Sequence, residues 1–285
     1  MMPTIAQEPI QCDDPITEDE KQLEPLSPQD WPIVDHLVTE DDTPVDNFPS
    51  AKQQRLLVES LYNAWIPPES PRPFLADANI AIYYAVGKPP IVPDVFLSLD
   101  VQVADDWWNK LHRSYFVWML GKLPDVVIEI VSNRAGQEAD QKLHTYARMR
   151  VPYYVIFDPQ EQLGGGVLRL YELRGLVYIE MAERWLAAVG IGLTLWKGVY
   201  ENKTDLWLRW CDQEDNFILT GSERAKQEYQ RAEQERQRAE QEHRRAEQEH
   251  RRAEQERQRA EQEHRRAEHL AEKLRALGID PDSIQ

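Results

Sequence analysis

Cysteine is nearly absent: Cys12 and Cys211 are the only two in 285 residues. Two thiols so far apart exclude a disulfide framework and a zinc ribbon, and they predict a reducing, cytoplasmic setting. A long apolar run is missing too. No stretch approaches the ~20 residues that span a bilayer, and the N-terminus has no basic start followed by an apolar segment. A soluble protein without a membrane partner is expected. Basic residues are also missing from the first fifty positions, which hold 13 Asp/Glu against one Lys. The net charge of −17 is therefore mostly an N-terminal property, because residues 51–221 hold 21 acids against 17 bases and residues 222–277 hold 14 against 15. Tight nonspecific duplex binding comes from Lys and Arg neutralising phosphates, so the overall charge gives DNA only weak support. A local basic groove in the middle of the chain stays open.

What is present divides the chain into four parts. Residues 1–29 carry Pro3, Pro9, Pro15, Pro25 and Pro28 among many acids and read as a disordered acidic arm. Trp31 to Val38 is a candidate docking segment for the body that follows. Over 30–221 the pattern is that of one mixed α/β domain. Leu57, Leu61 and Trp65 recur at helical spacing from Gln53 onward, which predicts an opening helix. Phe74–Ala85, Ile91–Leu99 and Asp125–Ser132 read as three strands, rich in Ile, Val, Tyr and Phe. A helix over about Gln137–Met149 follows, then a strand from Val151 that stops at Asp158-Pro159, and a hairpin of Val167–Leu173 and Leu176–Met181 around Arg174-Gly175. The order predicts an αβββαβ core with a mixed sheet and a right-handed strand-helix-strand crossover.

Residues 222–277 repeat Arg-Ala-Glu-Gln-Glu-Xaa-Xaa every seven positions, with alanine at 225, 232, 239, 246, 253, 260 and 267. Nothing in this stretch stops a helix, and residues 278–285 form a short tail. A strong coiled coil wants large apolar side chains at both seam positions, yet the seam four residues on holds Tyr229, Arg236, His243, His250, Arg257 and His264. Glu240 and Arg244, Glu247 and Arg251, and Glu261 and Arg265 instead stand at i,i+4, where each pair adds roughly 0.2–0.5 kcal/mol. A long charge-laced single helix and a homo-oligomer through residues 222–277 both remain open, the first favoured. His243, His250 and His264 share a face at more than one turn's spacing, which suits solvated histidines better than a metal site.

The informative residues are acids inside apolar runs. Asp94 lies in Ile91-Val-Pro-Asp94-Val-Phe-Leu-Ser-Leu99, and Glu129 in Asp125-Val-Val-Ile-Glu129-Ile-Val-Ser132. A carboxylate there is costly unless a cation meets it, and an all-oxygen set favours Mg²⁺ or Mn²⁺ over zinc. Asp125 is a rival to Asp94 because Pro124-Asp125 repeats the Pro93-Asp94 dipeptide. Asp125 and Glu129 lie on one strand, however, and at ~3.3 Å per residue they stand ~13 Å apart, too far for one metal. Asp94 on an adjacent strand, ~4.8 Å away, can meet Glu129 side by side. Lys142, on the helix that follows, completes a set able to hydrolyse a phosphodiester.

These residues resemble those of PD-(D/E)XK nucleases, and more narrowly of the Uma-type family of restriction endonucleases. The likeness rests on Thr43-Pro-Val-Asp-Asn47, Ile91 to Leu99 with Asp94, Arg113-Ser-Tyr115 with Trp118, Val127-Ile-Glu129-Ile-Val-Ser132, Lys142 with Tyr146-Ala147, and Tyr153-Tyr-Val-Ile-Phe-Asp-Pro159, over roughly residues 30–220. It implies a restriction-endonuclease-like fold, DNA as substrate, and Mg²⁺ held by Asp94, Glu129 and the Ile130 carbonyl. Two departures stand out. Val131 occupies the place of the superfamily's lysine, and the resemblance implies that Lys142 supplies it from the helix; Glu138, one turn earlier at i,i+4 on the same face, is placed to orient the lysine or the attacking water. Met119 stands where relatives often carry an acid. Glu59, on the first helix, is a weak candidate that falls opposite the Leu57, Leu61 and Trp65 face, while Asp140 and Asp158 are expected to serve the helix and the turn. Two functions follow: a Mg²⁺-dependent endonuclease, or an inactive nuclease-fold scaffold that assembles through its long helix.

Overall fold

The structure is a computed structural model that describes residues 26–33, 47–132 and 138–276, with the backbone alone for residues 138–140. The chain divides into two units, Met1–Gly221 and Ser222–Gln285. Most of the expected acidic arm and positions 34–46 lie outside the described residues. Trp31 does dock: its indole N–H donates to the Leu26 carbonyl (2.8 Å), the Leu26 N–H donates to the Trp118 carbonyl (2.9 Å), and its ring meets His112 edge-on.

The first unit opens with α1 (Phe48–Ala64), five residues earlier than the apolar spacing alone indicates. Asn47 is the reason, because its side chain accepts the Ser50 N–H (3.0 Å) and Pro49 in the first turn presets the backbone. The chain continues through β1 (Phe74–Ala78), β2 (Ile82–Tyr83), β3 (Val95–Leu99), β4 (Tyr115–Phe116), the short α2 (Val117–Leu120) and β5 (Val126–Ile130). Next come α3 (Glu138–Met149), β6 (Tyr153–Phe157), β7 (Leu168–Arg174), β8 (Val177–Glu180), β9 (Trp185–Leu186), β10 (Ile191–Tyr200) and β11 (Lys203–Cys211).

The main sheet has the order β1-β3-β5-β6-β7-β8, with β5 and β6 parallel and every other neighbouring pair antiparallel. The α3 helix makes the crossover between the two parallel strands, so the mixed α/β sheet expected from sequence is the one observed. Two strands differ from expectation. Phe74–Ala85 is not continuous: Asn79 adopts a left-handed backbone (φ 57°), a conformation Asn tolerates, and β2 leaves the sheet to pair in parallel with β4. Ile91 likewise makes only an isolated bridge to Ile82, so Asp94 stands just before β3 instead of inside it.

Alternation along the strands creates two apolar faces. Val95, Leu97, Val126, Ile128, Val155 and Phe157 face Leu57, Leu61 and Trp65 of α1 together with Leu193, Leu208 and Trp210 of the second sheet, β9-β10-β11. That second sheet was not foreseen, and its hairpin turns at Glu201-Asn202, both at positive φ (44° and 61°), the backbone of a tight two-residue turn. Gln53 ties α1 to it by donating to the Leu208 carbonyl (2.8 Å) and accepting the Leu208 N–H (2.9 Å). On the opposite face, Phe96, Val127, Tyr154 and Ile156 pack against Tyr146, Ala147 and Met149 of α3.

Described by itself, the second unit carries α4 (Gly221–Ala276) from Ser222 onward, a helix that buries none of its residues. Its ion pairs are local and exposed, from 2.9 Å for Arg236 and Glu233 to 3.9 Å. Arg244 reaches Glu240 at 3.9 Å, whereas Arg251 turns to the Glu247 carbonyl and Glu261 pairs with Arg257 (3.2 Å) instead of Arg265. His243 and His264 lie beside Glu247 and Glu268 on the same exposed helix. Among the described residues no helix is long and apolar enough to cross a membrane.

Candidate active site

The register decides which residues can meet. Val95 pairs with Ile128 across the antiparallel β3–β5 ladder, so Asp94, one residue before Val95, falls opposite Glu129, one residue after Ile128. Glu129 shares the α3 face with Val127, by alternation along β5. It is only 9% exposed, in a strand whose residues are all buried.

Two side chains from α3 converge on it. The Lys142 ammonium lies 2.7 Å from Glu129 Oε2, and the Tyr146 hydroxyl donates to Oε1 at 2.9 Å. Positions 142 and 146 are one turn apart on the helix, so a single face delivers both groups. Lys142 also contacts the Val92 carbonyl at 3.4 Å, on the segment that leads into Asp94. Val131, two residues after Glu129 on the same face, is half-buried among the apolar side chains beneath α3. The helix therefore brings a lysine to the carboxylate that its own strand does not supply.

Burial is the main force on Glu129 and pushes its carboxyl up to about 8; the ammonium of Lys142 pulls it down, Asp94 raises it, and the Lys142 and Tyr146 hydrogen bonds lower it. A buried carboxyl held this high keeps its proton at neutral pH unless further positive charge lies beside it. Asp94 closes the end of the ladder: its Oδ2 accepts the Ile130 N–H at 2.6 Å, and its Oδ1 lies 3.4 Å from the Gln54 amide of α1. The N–H and C=O of a strand residue point to the same side, so the Ile130 carbonyl is also directed toward the β3 side, where Asp94 stands. Two carboxylates and a carbonyl form an oxygen-only donor set, which fits a hard divalent cation. No cluster of three or more His, Cys, Asp or Glu able to hold a metal occurs among the described residues.

The remaining candidates are placed elsewhere. Asp125 sits at the far end of β5, accepting the Leu99 N–H (2.7 Å) and pairing with Lys122 (2.7 Å), so it is a structural acid. Glu59 accepts from the Tyr200 hydroxyl (3.0 Å) and the Gly221 N–H (3.3 Å), away from Glu129. Asp158 accepts the Gln162 and Leu163 N–H groups and builds the turn expected of it. The side chains of Glu138 and Asp140 lie outside the described residues; Glu138 begins α3. Met119 packs beside Tyr83, Phe116 and Trp118. Sequence reasoning missed two members. Tyr146 was legible as the residue one turn from Lys142, whereas Gln54, which pairs with Asn79 as well as Asp94, carried no signal because it acts from the other face of the sheet. A cleft of about 1000 Å³ lined by Phe96, Trp107, Trp108 and Tyr115 is not bounded by Asp94, Glu129 or Lys142.

Residues 38–174 match the Uma2 family, described as a putative restriction endonuclease. Over these residues the chain is similar to that family. No curated protein matches the chain. A crystal structure of a putative nuclease belonging to DUF820, from Anabaena variabilis, is similar at 15% identity and a TM-score of 0.35, over 50% of this chain and 71% of that one. The Uma2 segment contains Asp94, Glu129, Lys142 and Tyr146 and runs through β7, whereas β8–β11 and α4 lie beyond it.

Proposed function

We propose that the Uma2-type domain is a metal-dependent endonuclease that hydrolyses phosphodiester bonds of DNA. The observation that carries the reading is the 2.7 Å contact between Lys142 and Glu129, made from the helix where the strand offers Val131. In this reading Asp94, Glu129 and the Ile130 carbonyl hold Mg²⁺, with Mn²⁺ as a substitute. When bound, the ion supplies a positive charge that acidifies water and offsets charge on the phosphate. Lys142, 2.7 Å from Glu129, would present its ammonium to the phosphate, where charge develops. Tyr146 keeps Glu129 in position by donating to the other oxygen. Gln54 holds Asp94 from the α1 side.

A second reading, an inactive scaffold that assembles through α4, is favoured by one observation. Protein donors already engage both oxygens of Glu129 and Oδ2 of Asp94, so the site is closed on itself by hydrogen bonds. Cleavage assays on plasmid and single-stranded DNA with Mg²⁺ or Mn²⁺, beside Glu129→Ala, separate the two. The nuclease reading expects metal-dependent cleavage that Glu129→Ala abolishes. Absence of cleavage on every substrate leaves the scaffold.

A further inference from the structure

The row that carries Glu129 continues across the sheet. Glu129 pairs with Ile156 of β6, and Ile156 pairs with Arg169 of β7, so Glu129 and Arg169 stand two strand spacings apart, ~10 Å between backbones, on the same face. The structure shows Nε and Nη2 of Arg169 buried with no hydrogen-bond partner among the described residues. The hydroxyl of Tyr154, also buried, has none either. Tyr154 pairs with Tyr171, two residues from Arg169 on the same face, so it is the diagonal neighbour of Arg169 across the β6–β7 ladder, and burial above all keeps its hydroxyl neutral.

Other arginines show what this one lacks. Arg55 presents the same Nε/Nη2 edge to Glu201 (2.7 and 3.0 Å), and Arg72 presents it to Asp100 (2.7 and 2.6 Å). Buried Arg209 lies against the rings of Trp196 and Phe217 and donates to the Ile218 carbonyl (3.0 Å). A guanidinium edge without its acceptor loses hydration and gains nothing in return, so the position is costly unless an oxyanion arrives. Glycine at 165 lets the chain approach closely: a Cβ there would lie 3.3 Å from Arg169 Nη1. Arg169 keeps part of its surface in solvent, and rotation of its terminal torsions carries the edge outward.

We propose that Arg169, with the Tyr154 hydroxyl beside it, is a phosphate subsite adjoining Glu129 and Lys142, taking two non-bridging oxygens of a substrate phosphodiester on its Nε/Nη2 edge. The fork geometry of guanidinium matches a tetrahedral oxyanion through two parallel bonds, which an ammonium cannot reproduce. Its assignment to a substrate phosphate rests on the nuclease reading; its affinity for an oxyanion does not.

The test compares the full chain with Arg169→Met, Arg169→Lys and Tyr154→Phe in two arms. In the first, inorganic phosphate is titrated against chloride at matched ionic strength and followed by thermal shift. Stabilisation of the unmutated chain by phosphate, lost in Arg169→Met and not restored by Arg169→Lys, is the expected result. In the second, fluorescence anisotropy with a labelled oligonucleotide in EDTA reads affinity without cleavage. Here Arg169→Met should bind at least tenfold more weakly with a salt slope reduced by about one, and Tyr154→Phe should bind a few-fold more weakly. The melting temperature of ligand-free Arg169→Met should be unchanged or higher, because an unpaired buried charge has been removed. A lower melting temperature with phosphate and DNA binding intact would make Arg169 a structural residue and overturn the proposal. If phosphate binds through Arg169 but no nucleic acid does, the subsite stands and the nuclease reading falls. If neither ligand responds to Arg169, the subsite itself falls.

Discussion

Charge is spent differently in the two units. In α4, Glu240 and Arg244 lie 3.9 Å apart with more than half of each side chain in solvent. In the first unit, Glu129 and Lys142 lie 2.7 Å apart with 12% and 28% of their side chains exposed. The contact joins an acid to a base in both places, but its consequences differ. An exposed i,i+4 pair contributes about 0.3–0.5 kcal/mol and is screened by salt, whereas a buried carboxylate carries a desolvation cost that only a cation offsets. An abundance of charge marks a solvated helix. A single acid in a strand whose every residue is buried marks a candidate site.

The largest effect should come from breaking the buried member. Glu129→Ala should abolish cleavage and weaken Mg²⁺ binding at least 100-fold, measured by plasmid nicking and calorimetric titration, because it removes a proposed ligand and leaves Lys142 without its partner. Mg²⁺ affinity unchanged in this variant would remove Glu129 from the metal site.

The pH response sharpens the same contrast. The Glu129 carboxyl lies at about 8 in the folded chain against an ordinary 4.5, so between those values the native state holds a proton that the unfolded state has released. Stability contributed at this group is therefore lost as pH rises from about 4.5 through about 8. Denaturation of the metal-free chain should show that fall, and Glu129→Gln, which keeps the shape without the charge, should flatten it. Tyr146→Phe should lower cleavage about tenfold and move its alkaline-rising pH limb upward, since the lost hydrogen bond had favoured the ionised carboxylate.

Smaller effects belong to the exposed unit. Removing residues 222–285 should shift the melting temperature of the remainder by less than ~4 °C, because α4 buries none of its residues. A collapse of the transition would show that the helix is integral to the fold. Smallest of all, Glu240→Ala should change stability by less than ~0.5 kcal/mol, a change that chemical denaturation resolves only as a null shift.

The sequence exposed this contrast unevenly. Acids inside apolar runs singled out Asp94 and Glu129, which the register places opposite each other, and strand spacing set Asp125 apart, because both inferences need only local pattern and the ~4.8 Å between neighbours. The helix after β5 pointed to Lys142. Long-range geometry was less legible. Gln54 reaches Asp94 from an element forty residues earlier, and Arg169 meets the Glu129 row through two registers that no local pattern encodes. Boundaries failed where a single backbone angle ruled: Asn79 at positive φ splits one apolar run into two strands of different sheets. The β10–β11 hairpin was overlooked although Asn202 at its turn was a readable signal.

The central claim is that Lys142 has taken over the work of the lysine that Val131 replaces. Plasmid cleavage by Lys142→Ala, read together with its Mg²⁺ affinity, tests this most directly. Cleavage should fall at least 100-fold while Mg²⁺ affinity changes less than about threefold, because the ammonium acts on the phosphate and is not a ligand. Cleavage at the unmutated rate in Lys142→Ala, with Glu129→Ala inactive, would contradict it.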